Sequence, residues 1–326
     1  MTPFPWQKQN AALWQRQQGR YGHAYLLTGV DGLGLTEFAR AMAQGLLCEN
    51  ATESACGQCS ACIQFRQDSH PDFIQLDVLE GKKEIGVDQV RQLSQRLMQT
   101  SHQGGYKVAL LQQVESFNSS AFNALLKTLE EPPEQTILIL TTYQLNRLPA
   151  TIVSRCQQLT FTPPSMEDSQ AWLQQQLPHL DATLLKRALR LNWGAPLAAL
   201  NWLNAQGWQW DEAWQKDLQS LRQGSQAVTQ VVANWLKWPQ PEQVFDQFYL
   251  ASVTAIRRAF YQQQIPLNQA WFDFQQRVLQ AKLDWLQNAN KELLLEALCM
   301  TFLQVEQGLA IRQPVFESEW IRGRWA

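Results

Sequence analysis

Four cysteines lie close together in the sequence, at a spacing that suits a metal site. Cys48, Cys56, Cys59 and Cys62 form the pattern C-x7-C-x2-C-x2-C. Four thiolates from one short stretch can complete a closed tetrahedral zinc site, and because such a site has no open position, the metal would be structural. Two consecutive C-x2-C steps favour this interpretation over a chance cluster of free thiols. An iron–sulfur cluster is a further alternative, although nothing nearby indicates a redox partner.

A glycine-rich turn has the outline of a phosphate-binding loop. Gly29 and Gly34 stand at the two fixed glycine positions of the pattern G-x4-G-K-[ST], Gly32 lies between them, and Thr36 takes the Ser/Thr position. Leu35 stands where the pattern has lysine, and a leucine offers the phosphates neither a donor nor a charge. Two interpretations stay open: residual nucleotide binding by the backbone amides, or a tight turn with no ligand.

The acidic residues that a working ATPase needs are also missing. A P-loop enzyme holds magnesium through a carboxylate that follows an apolar strand. The apolar run Val108–Leu111 is followed by Gln112 and Gln113, whose amides carry no charge to offset magnesium. Since the lysine and the acidic pair are absent together, the sequence favours a site that does not hydrolyse ATP.

One arginine is a candidate for a role in a neighbouring molecule. Arg155 stands in the tripeptide Ser154-Arg155-Cys156, just before the last apolar run of the N-terminal half. An arginine supplied in trans can stabilise the charge that develops on a transferred phosphate. From the tripeptide alone, a surface salt bridge explains Arg155 equally simply.

The N-terminal half alternates short apolar runs with segments of helical periodicity. This alternation predicts an α/β domain with a parallel sheet covered on both faces. The strands are expected near residues 23–28, 73–78, 107–111, 136–140 and 158–161, with helices at 4–18, 87–97 and 121–129. A further helix is expected after the glycine turn, where Phe38, Met42 and Leu46 repeat at intervals of four.

The pattern becomes helical after Thr162-Pro163-Pro164. Segments near 165–177, 181–191 and 195–206 form a small α unit, and Gly207 is a plausible joint to a helical remainder, 208–326. Two apolar faces recur at helical spacing in that remainder. They comprise Phe245, Phe248, Tyr249, Ser252, Ile256 and Phe260 on one helix, and Leu294, Leu298, Phe302, Val305 and Leu309 on another.

Composition narrows the classes of protein. The chain has 326 residues, 45% of them hydrophobic, and a formal net charge of −2. Without a basic excess, tight DNA binding by this chain alone is not expected. The N-terminal residues have no signal-peptide pattern, and no apolar run is long enough to span a membrane. We therefore expect a cytoplasmic protein with no membrane partner, in which clustered cysteines bind metal and do not form disulfides.

Taken together, these motifs resemble the clamp-loader branch of the AAA+ family. The resemblance depends on residues 23–29 (HAYLLTG), the four cysteines, residues 70–72 (HPD), residues 123–133 (NALLKTLEEPP) and residues 152–156 (IVSRC). It covers residues 23–161 and extends weakly to residues 194–196 (GAP). The C-terminal third matches only in being helical.

The resemblance implies an architecture and a set of partners. It implies an AAA+ domain over residues 1–163 with a zinc module at 48–62, a three-helix lid over 164–207 and a helical collar for oligomerisation over 208–326. It implies assembly with gamma/tau ATPase subunits and a delta subunit of DNA polymerase III, which together load a sliding clamp onto primed DNA. In this family the arginine of the Ser-Arg-Cys motif completes the ATP site of the adjoining subunit, which assigns that role to Arg155.

The departures from the family pattern favour a subunit that is not an ATPase. Leu35, Gln112 and Gln113 replace the residues of an ATPase subunit, and no arginine stands near Leu197 in the lid. We therefore expect ATP to bind weakly or not at all. Two rival hypotheses remain: a gamma/tau-like P-loop ATPase with an atypical site, and a zinc-dependent DNA-binding module.

Overall fold

A computed structural model describes residues 3–52, 54–78, 82, 84–261, 269–287 and 289–309. These residues form two compact units, one within residues 1–201 and the other within 202–326. The segment 310–326, which the predicted collar includes, lies outside the described residues. The predicted three-part division at residues 163 and 207 stays a prediction.

The first unit contains a five-stranded parallel sheet in the order β2-β3-β4-β1-β5. Every residue of β1, β3 and β4 is buried, as expected for strands that are covered on both faces. The strands are β1 (Ala24–Thr28), β2 (Phe73–Leu76), β3 (Lys107–Leu111), β4 (Thr136–Thr142) and β5 (Gln157–Thr160).

Alternate residues along the strands point to opposite faces of the sheet, and each face has its own helices. Leu26, Ala109 and Leu138 belong to the core that includes residues of α4, α5 and α6, whereas Leu27 and Ile139 belong to the core that includes residues of α2. The helices of this part of the chain are α1 (Lys8–Gln15), α2 (Leu35–Leu47), α3 (Ser60–Arg66), α4 (Val87–Leu97), α5 (Ser119–Glu130) and α6 (Ala150–Val153).

No strand is found after β5 in the described part of the chain, as the sequence predicts. In the second unit, aromatic rings from several helices form one core, in which Trp214 lies 4.7 Å from both Trp235 and Phe248. The helices after β5 are α7 (Met166–Gln176), α8 (Ala182–Leu191), α9 (Pro196–Asn204), α10 (Trp208–Arg222), α11 (Val228–Trp235), α12 (Gln243–Tyr261), α13 (Gln269–Leu286) and α14 (Lys291–Glu306).

The structure corrects the sequence predictions at the ends of elements. The N-terminal helix, predicted from residue 4 to 18, is a 3₁₀ turn at Pro5–Gln7 followed by α1, which ends at Gln15. Phe260 and Leu309, which the sequence places on apolar faces, are 68% and 53% exposed; the first lies in the last turn of α12 and the second lies beyond the end of α14. Within the described residues, no helix combines the length and the hydropathy that a membrane crossing requires.

Candidate functional site

The four clustered cysteines converge in space. The Sγ atoms of Cys48, Cys56, Cys59 and Cys62 all lie within 4.8 Å of one another. The Sγ atoms of Cys48 and Cys59 are 3.8 Å apart, which is close to the sulfur–sulfur separation of about 3.8 Å that tetrahedral Zn–S bonds of about 2.3 Å require. This arrangement could hold a metal ion, and the thiolate donor set suits a soft or borderline cation.

Backbone N–H groups donate hydrogen bonds to the sulfurs of Cys56 and Cys59. Cys59 is the N-cap of α3, and its Sγ accepts a hydrogen bond from the N–H of Cys62 at 3.4 Å. The N–H groups of Gln58 and Cys59 donate to the sulfur of Cys56 and lower the pKa of that thiol to about 6. Burial raises the pKa of the Cys62 thiol to about 12. A bound cation would deprotonate the buried thiol, so metal affinity should depend on pH.

The glycine-rich loop connects β1 to α2 and keeps the backbone shape that the sequence predicts. Gly32 and Gly34 have φ angles of +83° and +79°, which residues with a Cβ rarely adopt. A Cβ on Gly32 would clash with Ala198 of α9, and the N–H of Leu197 donates to the carbonyl of Gly32 at 3.1 Å. The small helical segment therefore contacts the loop directly.

The N-terminal segment covers the other side of this loop. The Trp6 indole donates to the carbonyl of Leu33 at 2.9 Å, and the buried Gln7 amide donates to the carbonyls of Leu33 and Gly34 at 2.9 Å. The ring of Phe4 stacks on Trp6, with 5.0 Å between centroids, and Trp172 of α7 packs edge-on against both rings. We call this group, Phe4, Trp6, Gln7 and Trp172, the loop cap.

Leu35, the residue in the lysine position, is part of the hydrophobic core. Its side chain is 1% exposed and belongs to the same cluster as Phe38 and Phe161. A Cβ placed on Gly29 would lie 3.2 Å from the Leu35 Cδ1 atom and 2.9 Å from the carbonyl oxygen of Phe161. The side chain at this position therefore packs inward, beneath the loop.

Thr36 contacts the end of β3, where its partner is a neutral amide. The Thr36 hydroxyl donates to the Gln112 side-chain oxygen at 3.4 Å, and the N–H of Gln113 donates to Thr141 Oγ1 at 3.2 Å. Burial raises the pKa of the nearby Tyr143, and the carboxylates of Asp31, Glu37 and Glu115 raise it further.

Arg155 lies apart from the loop, in the turn that follows α6. Its Nη2 atom is 2.7 Å from the Glu130 Oε1 atom, and its Nη1 atom donates to the carbonyl of Thr151 at 3.0 Å. The Arg155 side chain keeps 36% of its surface exposed. The salt-bridge interpretation is thus correct for this chain by itself, and the exposure leaves room for a further contact.

Sequence reasoning identified the loop but not what covers it. The loop cap joins the N-terminal segment to Trp172, more than 160 residues away in the sequence. Glu115, which is 9% exposed and accepts a hydrogen bond from the N–H of Tyr143 at 3.2 Å, was also missed. The aromatic residues Phe4 and Trp6 in an otherwise polar N-terminal segment were the available signal.

Comparison with known proteins identifies a family. A family model described as "DNA polymerase III, delta subunit" matches residues 6–165. DNA polymerase III subunit delta' of Pseudomonas aeruginosa is 40% identical over 249 residues, which cover 75% of this chain and 74% of that protein. The delta' subunit of Escherichia coli is 37% identical over 194 residues, covering 59% of this chain and 58% of its own length.

More distant similarities are found to other DNA polymerase III subunits. DNA polymerase III subunit tau of Bacillus subtilis is 39% identical over 154 residues, 47% of this chain and 26% of that protein. Among solved structures, a DNA polymerase III gamma subunit-related protein of Thermotoga maritima covers 90% of this chain and 98% of its own, at 16% identity and a TM-score of 0.43.

The burial of Leu35 leads to a test of the loop. Replacing Leu35 with lysine places an ammonium group in an apolar core, so we expect Leu35→Lys to lower the free energy of unfolding by about 2 kcal/mol or more. Urea denaturation measures the change. Leu35→Met is the control, because it conserves volume and should cost less than about 1.5 kcal/mol. A lysine variant as stable as the methionine variant would contradict the inward packing.

Proposed function

The chain belongs to the delta' family of DNA polymerase III subunits, and from this premise we propose that it is a non-catalytic subunit of the clamp loader. In this role it helps to load the sliding clamp onto primed DNA and supplies Arg155 to the ATP site of a neighbouring subunit. The observation that carries the proposal is the burial of Leu35: the side chain in the lysine position lies in the core and offers a phosphate no charge.

Several features support the absence of ATP hydrolysis. A phosphate cradle without lysine depends on backbone amides alone, and here the loop is in contact with α9 and with the loop cap. Gln112 accepts the Thr36 hydroxyl, so the pair that would bind magnesium in an ATPase consists of a hydroxyl and a neutral amide. These contacts disfavour the alternative, a gamma/tau-like ATPase with an atypical site.

The partners that we propose follow from the family and from the absence of the residues for ATP hydrolysis. A subunit without its own ATPase activity contributes to loading only inside an assembly, which we propose contains gamma/tau ATPase subunits and a delta subunit. We propose that residues 164–207 form the lid and residues 208–326 the collar. The apolar stripe formed by Leu279, Leu283 and Leu286, each at least 52% exposed on α13, is a surface suited to such contacts.

We propose that the four-cysteine cluster binds structural zinc. Four thiol ligands leave no open coordination position for catalysis. The cluster joins the end of α2 to the start of α3, so the ion would fix the connection between these helices. The role is stabilisation and not DNA recognition, which sets aside the zinc-dependent DNA-binding module.

The arginine role predicts a loss of ATP turnover in the assembly. In a complex reconstituted with the gamma/tau and delta subunits, we expect Arg155→Ala to lower turnover at the adjoining site by at least about tenfold, since fingers of this kind contribute several orders of magnitude. Turnover is measured with clamp and primed DNA present, and gel filtration confirms that the complex forms.

Two matched variants make this test specific. Arg155→Lys keeps the charge but loses the planar fork of donors, so the complex that contains it should retain little more ATP turnover than the Arg155→Ala complex. Arg147→Ala removes a nearby exposed arginine, which contacts Gln144 at 3.4 Å, and should leave turnover unchanged. Unchanged turnover with Arg155→Ala in an intact complex would rule out the finger.

The zinc proposal predicts metal content and stability. The purified chain should contain about one equivalent of zinc by elemental analysis, and Cys59→Ser should lose most of it because three ligands remain. Chelation should lower the melting temperature, because metal binding is coupled to folding. Cys299→Ala, which removes a buried cysteine of the other unit, should retain the metal. A chain that is free of metal and insensitive to chelators would contradict the proposal.

A further inference from the structure

Glu130 is the residue nearest to the charged end of Arg155, and we infer that it is a positioning residue for the arginine finger. It holds the guanidinium in the orientation in which the group meets the neighbouring site. The inference depends on the proposed function, and it assigns a role to a carboxylate 25 residues away from the arginine in the sequence.

The two charged residues are placed side by side by one core. Leu129, directly before Glu130, is 2% exposed, and Ile152, three residues before Arg155, is fully buried. Both belong to the core on the same face of the sheet. The end of α5 and the turn after α6 are therefore fixed relative to each other, and the ion pair forms between two rigid backbones.

Two contacts hold the guanidinium at different atoms. Nη2 contacts the Glu130 carboxylate at 2.7 Å, and Nη1 donates to the Thr151 carbonyl at 3.0 Å. The Thr151 contact lies within the arginine's own turn, so it cannot by itself fix the group relative to the rest of the domain. Glu130 supplies that second point of attachment.

The ion pair with Glu130 orients the Arg155 guanidinium and still leaves it accessible to a phosphate. A guanidinium has five N–H donors, and its hydrogen bonds to protein within the described residues are the two above. Further donors therefore remain for phosphate oxygens. The side chains of Arg155 and Glu130 are 36% and 50% exposed, and an ion pair this open is too weak to keep the arginine from a phosphate. Its effect is to restrict the conformations of a long side chain, and orientation of this kind accelerates a reaction.

The test is turnover of the reconstituted complex. Glu130→Ala should lower kcat for ATP by about two- to fivefold, the range that an exposed ion pair allows. The KM for ATP should not change, because the finger acts on charge that develops in the transition state. Glu130→Gln, which keeps the shape and a hydrogen-bond acceptor, should lower kcat by a smaller factor. Glu131→Ala, which removes the adjacent exposed carboxylate, is the control and should leave kcat unchanged.

A double-mutant cycle separates positioning from a general structural effect. If Glu130 acts through Arg155, then Glu130→Ala should cause no further loss in a chain that already carries Arg155→Ala. Additive losses in the double variant would overturn the inference. An unchanged kcat for Glu130→Ala alone would also overturn it. A raised kcat for Glu130→Ala would overturn it as well, because it would mean that the carboxylate competes with phosphate for the arginine. If Arg155→Ala lowers kcat but Glu130→Ala does not, only the positioning role of Glu130 is ruled out. If Arg155→Ala itself leaves kcat unchanged, the arginine finger is ruled out as well.

Discussion

The Leu35 side chain packs into the core beneath the glycine loop, which leaves the loop without a cation for a phosphate, and the functional account depends on this packing. Hydrogen bonds from Trp6 and Gln7 to the carbonyls of Leu33 and Gly34 hold the N-terminal segment against the same loop. The Gln7 side chain is 1% exposed, so moving it away would leave buried polar groups unpaired, at a cost of about 1–3 kcal/mol for each group. The aromatic rings of Phe4 and Trp172 pack around the same place and add apolar contact to the hydrogen bonds.

The two cores of the sheet domain also position residues that lie outside the glycine loop. Leu35 and the loop contribute to one core, whereas the core on the other face fixes α5 and α6 and hence the position of Arg155. The same fold thus keeps the outline of a nucleotide site that we propose is inactive and presents an arginine that we propose acts elsewhere. The cysteine cluster lies between α2 and α3, away from both features in the sequence.

Local patterns in the sequence predicted much of this structure. The strands β1, β3 and β4 are continuous apolar runs, a pattern that depends on burial at both faces. The cysteines were predicted to converge because their spacing limits how far apart they can lie, and α5 ends at Glu130, just before the pair Pro132-Pro133. Each of these features is determined within a few residues of the chain.

What the sequence did not reveal depends on contacts between distant residues. Nothing in the local pattern pairs Trp6 with Trp172 or Glu130 with Arg155, because both contacts form only when separate elements pack. Phe260 follows the apolar spacing of its helix and is nevertheless exposed, since periodicity cannot show where the neighbouring helices end. The side chain of Leu35 could be identified as the wrong type for a phosphate site, but not as a member of the core.

The most direct test of the inactive nucleotide loop is a calorimetric titration of the full chain with ATP and magnesium. A P-loop ATPase that has its lysine serves as the positive control under the same conditions. The account predicts no saturable heat at micromolar ATP, because the loop lacks its cation. Micromolar binding would contradict it, since the backbone amides alone would then have to hold the phosphates.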